Sequence, residues 1–354
     1  MKKIGLIVLS LLIVTSCLVN VEPIVATSEV ENTWTNKAPI PQADGGHVRA
    51  TTVNGKIYVI GGSINYEYDP TTDNWAEKTP MPTPRHWFGI AVYQNKIYTI
   101  GGSAGWTQEN GTIYSSANEV YDPSTDTWEN KTSMPTTREE VDASIVNGKI
   151  HLLATDTHDV YDIATDSWAT KTAMPFPYTA YAASSTAFND MIYLIGWNLT
   201  QIYDPNSDSW SLGASPPTSV SNVAVCATTG VMAPKRIYVF GGSVGFLEYT
   251  NVTQVYDPEN DTWVLGAPMP TARAGLTVAV ENDVIYAIGG GHSWGQTESV
   301  NERYVPFGYG TPDSSFSGTI AEYEYIVLFL VSVAIVVLVS AGFIVYFKKH
   351  KRQV

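Results

Sequence analysis

The sequence predicts an all-β protein: a six-bladed β-propeller closed by its own N-terminal strand and carried on one C-terminal transmembrane helix. Three observations predict it. A nine-residue phrase recurs five times, as "EYDPTTDNW" (67–75), "VYDPSTDTW" (120–128), "VYDIATDSW" (160–168), "IYDPNSDSW" (202–210) and "VYDPENDTW" (255–263). β-branched segments ending in paired glycine precede it at a repeat of four strands per unit, the period of a propeller blade. A charge-free apolar run, Ile326 to Phe347, stands near the C-terminus and is long enough to cross a bilayer.

The elements follow in chain order. "MKKIGLIVLSLLIVTSC" has two lysines before a short apolar stretch, the pattern of a signal peptide over 1–26; "VTSC" also has the form of a lipobox ending at Cys17. "NTWTNKAPIP" (32–41) carries the tryptophan and proline of a fourth strand with nothing before it. Each full unit then has an inner strand such as "RATTV" or "GIAVY" and a tight turn, Asn54-Gly55 or Asn147-Gly148. Next come a strand ending near paired glycine ("KIYVIGG", "KIYTIGG", "RIYVFGG", "VIYAIGG"), the Tyr-Asp strand and the tryptophan strand. The sixth unit, 273–304, reaches Tyr304 and has no tryptophan after it. Trp34 therefore completes it, and a ring over 32–305 leaves no open seam. The segment 306–324 reads as a flexible stalk, 325–347 as the membrane helix and 348–354 as a basic tail. "KKHKR" places that tail in the cytoplasm and the propeller outside.

Composition narrows the function. The chain has 20 Lys+Arg against 34 Asp+Glu, a net charge of −14. Six of the basic residues (Lys2, Lys3, Lys348, Lys349, Lys351, Arg352) lie at the ends, so the body is more acidic still. Such a surface repels phosphate backbones and excludes nucleic acid as partner. Two cysteines, Cys17 and Cys226, cannot build an intrachain disulfide framework. No nucleophile motif, paired-histidine zinc motif or phosphate loop occurs, and no cofactor is implied. The paired aspartates, such as Asp122 and Asp126, read as turn residues bonding their own backbone rather than as calcium ligands.

Paired glycine, then tyrosine, then a spaced tryptophan is similar to the kelch repeat, and the whole body resembles an exported, membrane-anchored prokaryotic kelch protein. The resemblance implies interblade packing by tyrosine and tryptophan, and most often an interaction module. Some kelch propellers are enzymes, including galactose-oxidase-like copper enzymes and bacterial sialic-acid epimerases. The copper type needs a cysteine cross-linked to tyrosine near two histidines. Cys226 falls within an inner strand, where a small buried apolar residue is the plain reading.

Residues that differ between blades carry the functional expectation. The units differ in the loop after the glycines, long at 103–120, 243–255 and 291–303. These loops and the starts of the inner strands share one face, the upper face. Trp87, Trp106, Trp197 and Trp294 map there, outside the repeated tryptophans. Arg85, Arg138 and Arg273 each stand sixteen residues before a first-glycine position, as the kelch pattern also has them, and are expected at the channel mouth. The site expectation is an upper face on which Arg85, Arg138 and Arg273 pair with a carboxylate while Trp87, Trp106 and Trp294 stack on its apolar part. The ligand is then an acidic glycan or a carboxylate-bearing peptide, bound by a cell-surface adhesion or protein-interaction module. The alternative is a carbohydrate-active enzyme, a sialic-acid-epimerase-like protein or a sugar lyase, using Glu139 and Glu140. His47, His86 and His292 also map to the upper face and are assigned no metal. Glycosylation sequons stand at Asn110, Asn130, Asn198, Asn251 and Asn260.

Overall fold

The computed structural model describes residues 29–42, 48–109, 111–138, 141–177, 183–291 and 298–311. All regular structure among them is β, in six four-stranded antiparallel sheets and two short hairpins. The leader, the membrane helix and the tail expected from the sequence lie outside the described residues. Among the described residues no helix is long and apolar enough to cross a membrane.

The six sheets are six blades. Their inner strands are Arg49–Val53, Gly89–Tyr93, Asp142–Val146, Ala183–Phe188, Ala224–Ala227 and Thr277–Glu281. Blade 6 takes its outer strand, Thr33–Asn36, from the other end of the chain; it pairs antiparallel with Asn301–Val305, and Trp34 faces Tyr304. The closure read from the unmatched N-terminal phrase is what the structure shows. Isoleucine, valine and tyrosine of the second and third strands are buried almost completely, and the core lies between blades as well as within them. Gly89 sits where a Cβ would come 2.8 Å from the Ala143 Cβ, so only glycine lets blades 2 and 3 meet near the axis.

The repeated phrase explains how blades join. Its tyrosine hydroxyl donates to the second aspartate, as Tyr68 to Asp73 (2.6 Å), Tyr121 to Asp126 (2.6 Å) and Tyr203 to Asp208 (2.7 Å). That aspartate also accepts the N–H of the linker leaving the preceding blade: Ala38 to Asp73, Thr79 to Asp126, Thr132 to Asp166, Thr172 to Asp208 and Ala214 to Asp261. The tryptophan indole donates to the carbonyl of the same linker residue: Trp75 to Ala38, Trp128 to Thr79, Trp168 to Thr132, Trp210 to Thr172 and Trp263 to Ala214. In blade 6 Asn32 replaces the aspartate and Trp34 completes the set on Ala267. The sequence reading of both aspartates as turn residues is thus corrected for the second. The first does cap its own turn (Thr71 N to Asp69, 2.9 Å); the second reaches the neighbouring blade. All six second-position residues have φ between 49° and 56°, which Asp and Asn tolerate better than other side chains.

Both ends leave the ring at the lower face, the face of the Asn-Gly turns. The start of the expected stalk is bound there rather than free. Gly310 N donates to Met232 O at 2.7 Å, Gly308 N to the Glu31 carboxylate, and Tyr309 packs against a core cluster. Met232 is itself held by Asp283, a buried carboxylate that also accepts from the Thr229 and Ala233 amides.

Closure through Asn32 gives a direct prediction. Asn32→Ala removes the acceptor of both Tyr304 and the Ala267 amide and is expected to cost about 1–3 kcal/mol. Asn32→Asp, which restores the group used in the other blades, is expected to stay within about 0.5 kcal/mol of wild type. Urea denaturation reads both; equal losses would mean that Asn32 does not close the ring.

Candidate functional site

On the upper face the long loops of blades 2 and 5 fold into hairpins, Ser103–Thr107 with Gly111–Tyr114 and Ser243–Gly245 with Glu248–Tyr249. Single β-bridges lace the rim: Gly62 to Arg85, His86 to Ser103, Trp197 to Val220, Ser221 to Ser243 and Ala274 to Gly291. The two hairpins are therefore bridged to the segments that lead into the inner strands of their own blades. The tip of the loop in blade 6, with Trp294 and His292, lies outside the described residues, as do His47, Asn110, Glu139 and Glu140.

The arginines are not where the sequence suggested. Arg85 and Arg273 are fully buried. Arg85 donates to Glu119 Oε2 at 2.7 Å and to Thr99 Oγ1 at 3.0 Å, and Thr83 Oγ1 holds the other oxygen of Glu119 at 2.8 Å. Arg273 repeats the arrangement on Glu302, with Thr271 in place of Thr83. Arg138 reaches Asp159 at 3.4 Å and is partly exposed. The inner strands begin four residues after each arginine, at Gly89, Asp142 and Thr277. The arginines therefore precede the channel wall and clasp the third strand of their own blade. Blades 4 and 5 do the same with glutamine: Gln201 bonds both the N–H and C=O of Phe176, and Gln254 those of Thr218. A buried charge deprived of its partner is costly. Arg85→Ala is expected to lose about 3–5 kcal/mol, while the double variant Arg85→Leu/Glu119→Leu recovers most of it; chemical denaturation of both chains is the check, and a mild single variant would contradict the clasp.

The spare tryptophans separate. Trp197 is 48% exposed, and Phe246 (84%), Leu247 (49%) and Val244 (48%) stand beyond it on the hairpin of blade 5. Trp87 is partly buried with φ 54°, and its carbonyl accepts from Val141 N at 3.0 Å, tying blade 2 to blade 3. Trp106 is on the hairpin of blade 2, opposite Thr112. Of the sequons, Asn130, Asn198 and Asn260 are exposed. Asn251 is partly buried and donates its side-chain amide to Met269 O at 2.9 Å, a geometry that a glycan on that nitrogen would disrupt.

The axis carries charges that the sequence reading passed over. Arg49, Gly89, Asp142, Ser184, Ala224 and Thr277 hold equivalent register positions, each opposite the residue just before the first glycine position of its blade. Arg49 and Asp142 line a cavity of about 150 Å³ with Ser184, Ser185 and Thr277. Arg49 Nε donates to Phe88 O at 3.1 Å; Ser184 and Ser185 bond the Asp142 carboxylate. Burial raises the Asp142 pKa, and Arg49 opposes that shift. The available signal was a charged residue opening an inner strand in "RATTV" and "VDASIV", where the other blades have small ones.

Blade 3 holds one further departure. Each second strand places an aromatic ring against the repeat tyrosine of the next blade, as Tyr58 on Tyr121 and Tyr98 on Tyr161. In blade 3 that ring is His151, on Tyr203. His158 Nδ1 lies 3.2 Å from Thr172 O and so carries a proton. Its Nε2 then accepts from His151 Nδ1 at 2.9 Å. Lys149, Lys171, Asp159 and Asp208 lie around the pair. Burial is the main cause that lowers His151 to about 3 and His158 to about 4, from an ordinary 6.5. Both are neutral in the fold, whereas the unfolded chain takes up protons below pH 6.5. Their contribution is therefore complete above pH 6.5 and is lost as pH falls toward 4. Replacing them with the residues of blade 2, His151→Tyr with His158→Asn, is expected to flatten melting temperature against pH across that window; an unchanged slope would contradict the assignment.

With the geometry in hand, comparison defines the class. Kelch-motif models match residues 46–82, 84–135 and 224–270. The chain is similar to Kelch-like protein 15 of Danio rerio, 26% identical over 256 residues, which cover 67% of this chain and 37% of that protein. It is similar to the human Kelch repeat and BTB domain-containing protein 8, 36% identical over 105 residues, covering 30% and 16%. The solved structure of YjhT superposes with a TM-score of 0.64 at 16% identity, over 75% of this chain and 95% of that one. The chain thus spans well under half the length of the curated relatives it matches. The protein carries kelch repeats and is a six-bladed kelch propeller.

Proposed function

We propose that this propeller is an interaction module that docks a protein partner on the upper face of blades 4 and 5. The observation that carries the reading is the row of exposed apolar side chains, Trp197, Val244, Phe246 and Leu247, on a rim laced by β-bridges. Exposed aromatic side chains on a rigid frame bring large contact area at small entropic cost. Kelch-like relatives support a protein partner in general. A carboxylate held by Arg85 and Arg273 forms no part of the proposal, because Glu119 and Glu302 already occupy them. The leader and apolar C-terminal run support an exported, single-pass chain with this face available outside the cell.

A photo-crosslinking residue at Val244 in the full-length chain, expressed in its own cells, is expected to capture a protein. The same residue at Asn147, on the lower-face turn, is expected to capture none. Trp197→Ser with Phe246→Ser should abolish the adduct and leave the melting temperature within about 2 °C, since neither side chain is buried. Equal capture from both faces, or capture that survives the double variant, would refute the docking surface.

A further inference from the structure

The charged pair at the axis is independent of the apolar rim and points to a different ligand. Arg49 and Asp142 open the inner strands of blades 1 and 3, and the equivalent position between them, in blade 2, is Gly89. Gly89 is packed against Ala143 and Leu152, so blade 2 places no charged side chain between the two. Among the described residues no ion pair joins Arg49 to Asp142 directly. Among the described residues Arg49 gives only its Nε to the protein, which leaves the two terminal nitrogens of the fork for a ligand. Asp142 is fixed from the far side by Ser184 and Ser185.

The two walls carry opposite charges, so a singly charged molecule satisfies one and is opposed by the other. A simple anion meets Asp142 and a chain of net charge −14; a simple cation meets Arg49. A molecule with both charges satisfies both walls and enters with no net charge. The cavity, at about 150 Å³, has the volume that elsewhere takes a six-atom ring. We propose that the upper end of the channel binds a small zwitterion, an α-amino acid of about glycine to serine size. Its carboxylate sits on Arg49, its ammonium group on Asp142, and Ser184 and Thr277 lie in reach of any side-chain hydroxyl.

The test is calorimetric titration of the full-length chain at low salt with glycine, L-serine, acetate and methylammonium. Glycine or serine is expected to bind with a dissociation constant on the order of 1 mM or below, and the two singly charged probes at least about tenfold more weakly. Arg49→Leu and Asp142→Asn should each weaken binding at least about tenfold. Should Arg49→Leu fail to fold, Arg49→Lys keeps the charge and loses the fork; it is expected to weaken binding several-fold. Ser184→Leu, which fills the cavity, should abolish binding. No heat from either amino acid, acetate binding as tightly as glycine, or affinity indifferent to Arg49→Lys and Asp142→Asn would each overturn the proposal.

Discussion

At every linker between blades, one residue gives its N–H to a carboxylate or amide oxygen and its carbonyl to an indole, and both partners belong to the next blade. The rest of the propeller depends on this double grip. A linker would otherwise leave backbone polar groups beside a dry seam, where an unmade hydrogen bond costs about 1–3 kcal/mol. The same carboxylate orients the tyrosine that fills the seam, and the tyrosine ring lies 4.7–5.1 Å from the tryptophan that supplies the indole in every blade. Backbone satisfaction and apolar packing are thus achieved by three side chains of one phrase.

This coupling explains which parts of the molecule were legible in the sequence. The phrase repeats because each seam needs all three groups, so the number of blades and the closing role of Trp34 could be counted, whereas Asn32 in the place of the aspartate emerged only from the structure. What a residue touches was harder to read. Asp126 looks like a turn residue from its neighbours in the chain, yet Thr79, which it holds, lies 47 positions away. Arg85 looked exposed because arginine usually is. Its partner Glu119 is 34 positions on and appears in the sequence only as an ordinary strand residue. Each inner strand starts four residues after its arginine, which places the guanidinium in the blade interior rather than in the channel.

The upper face divides its tasks by distance from the axis. The rim between blades 4 and 5 is apolar and exposed; the axis holds a polar, partly open cavity. Neither depends on the arginine clasps, which stabilise blades 2 and 6 from within. In blade 3 the clasp is the looser Arg138–Asp159 contact, and the seam to blade 4 rests on neutral imidazoles rather than a tyrosine. Blade 3 thus joins a partly exposed clasp to a histidine pair whose neutral state is lost in acid.

The emergence of both chain ends on the lower face has a mechanical meaning. Thr33–Asn36 and Asn301–Val305 are antiparallel neighbours, and their outer ends carry the two tails. Tension between the tails would act on that ladder as on a zipper, one rung at a time, starting at the contact between Glu31 and Gly308. Tension between the C-terminal tail and a partner held on the far rim takes another route. It crosses the sheets of blades 5 and 6 and the doubly gripped linker at Ala267 that joins them, and many bonds share the load. The ring is arranged to yield when drawn apart by its own ends and to hold when drawn by what it has bound.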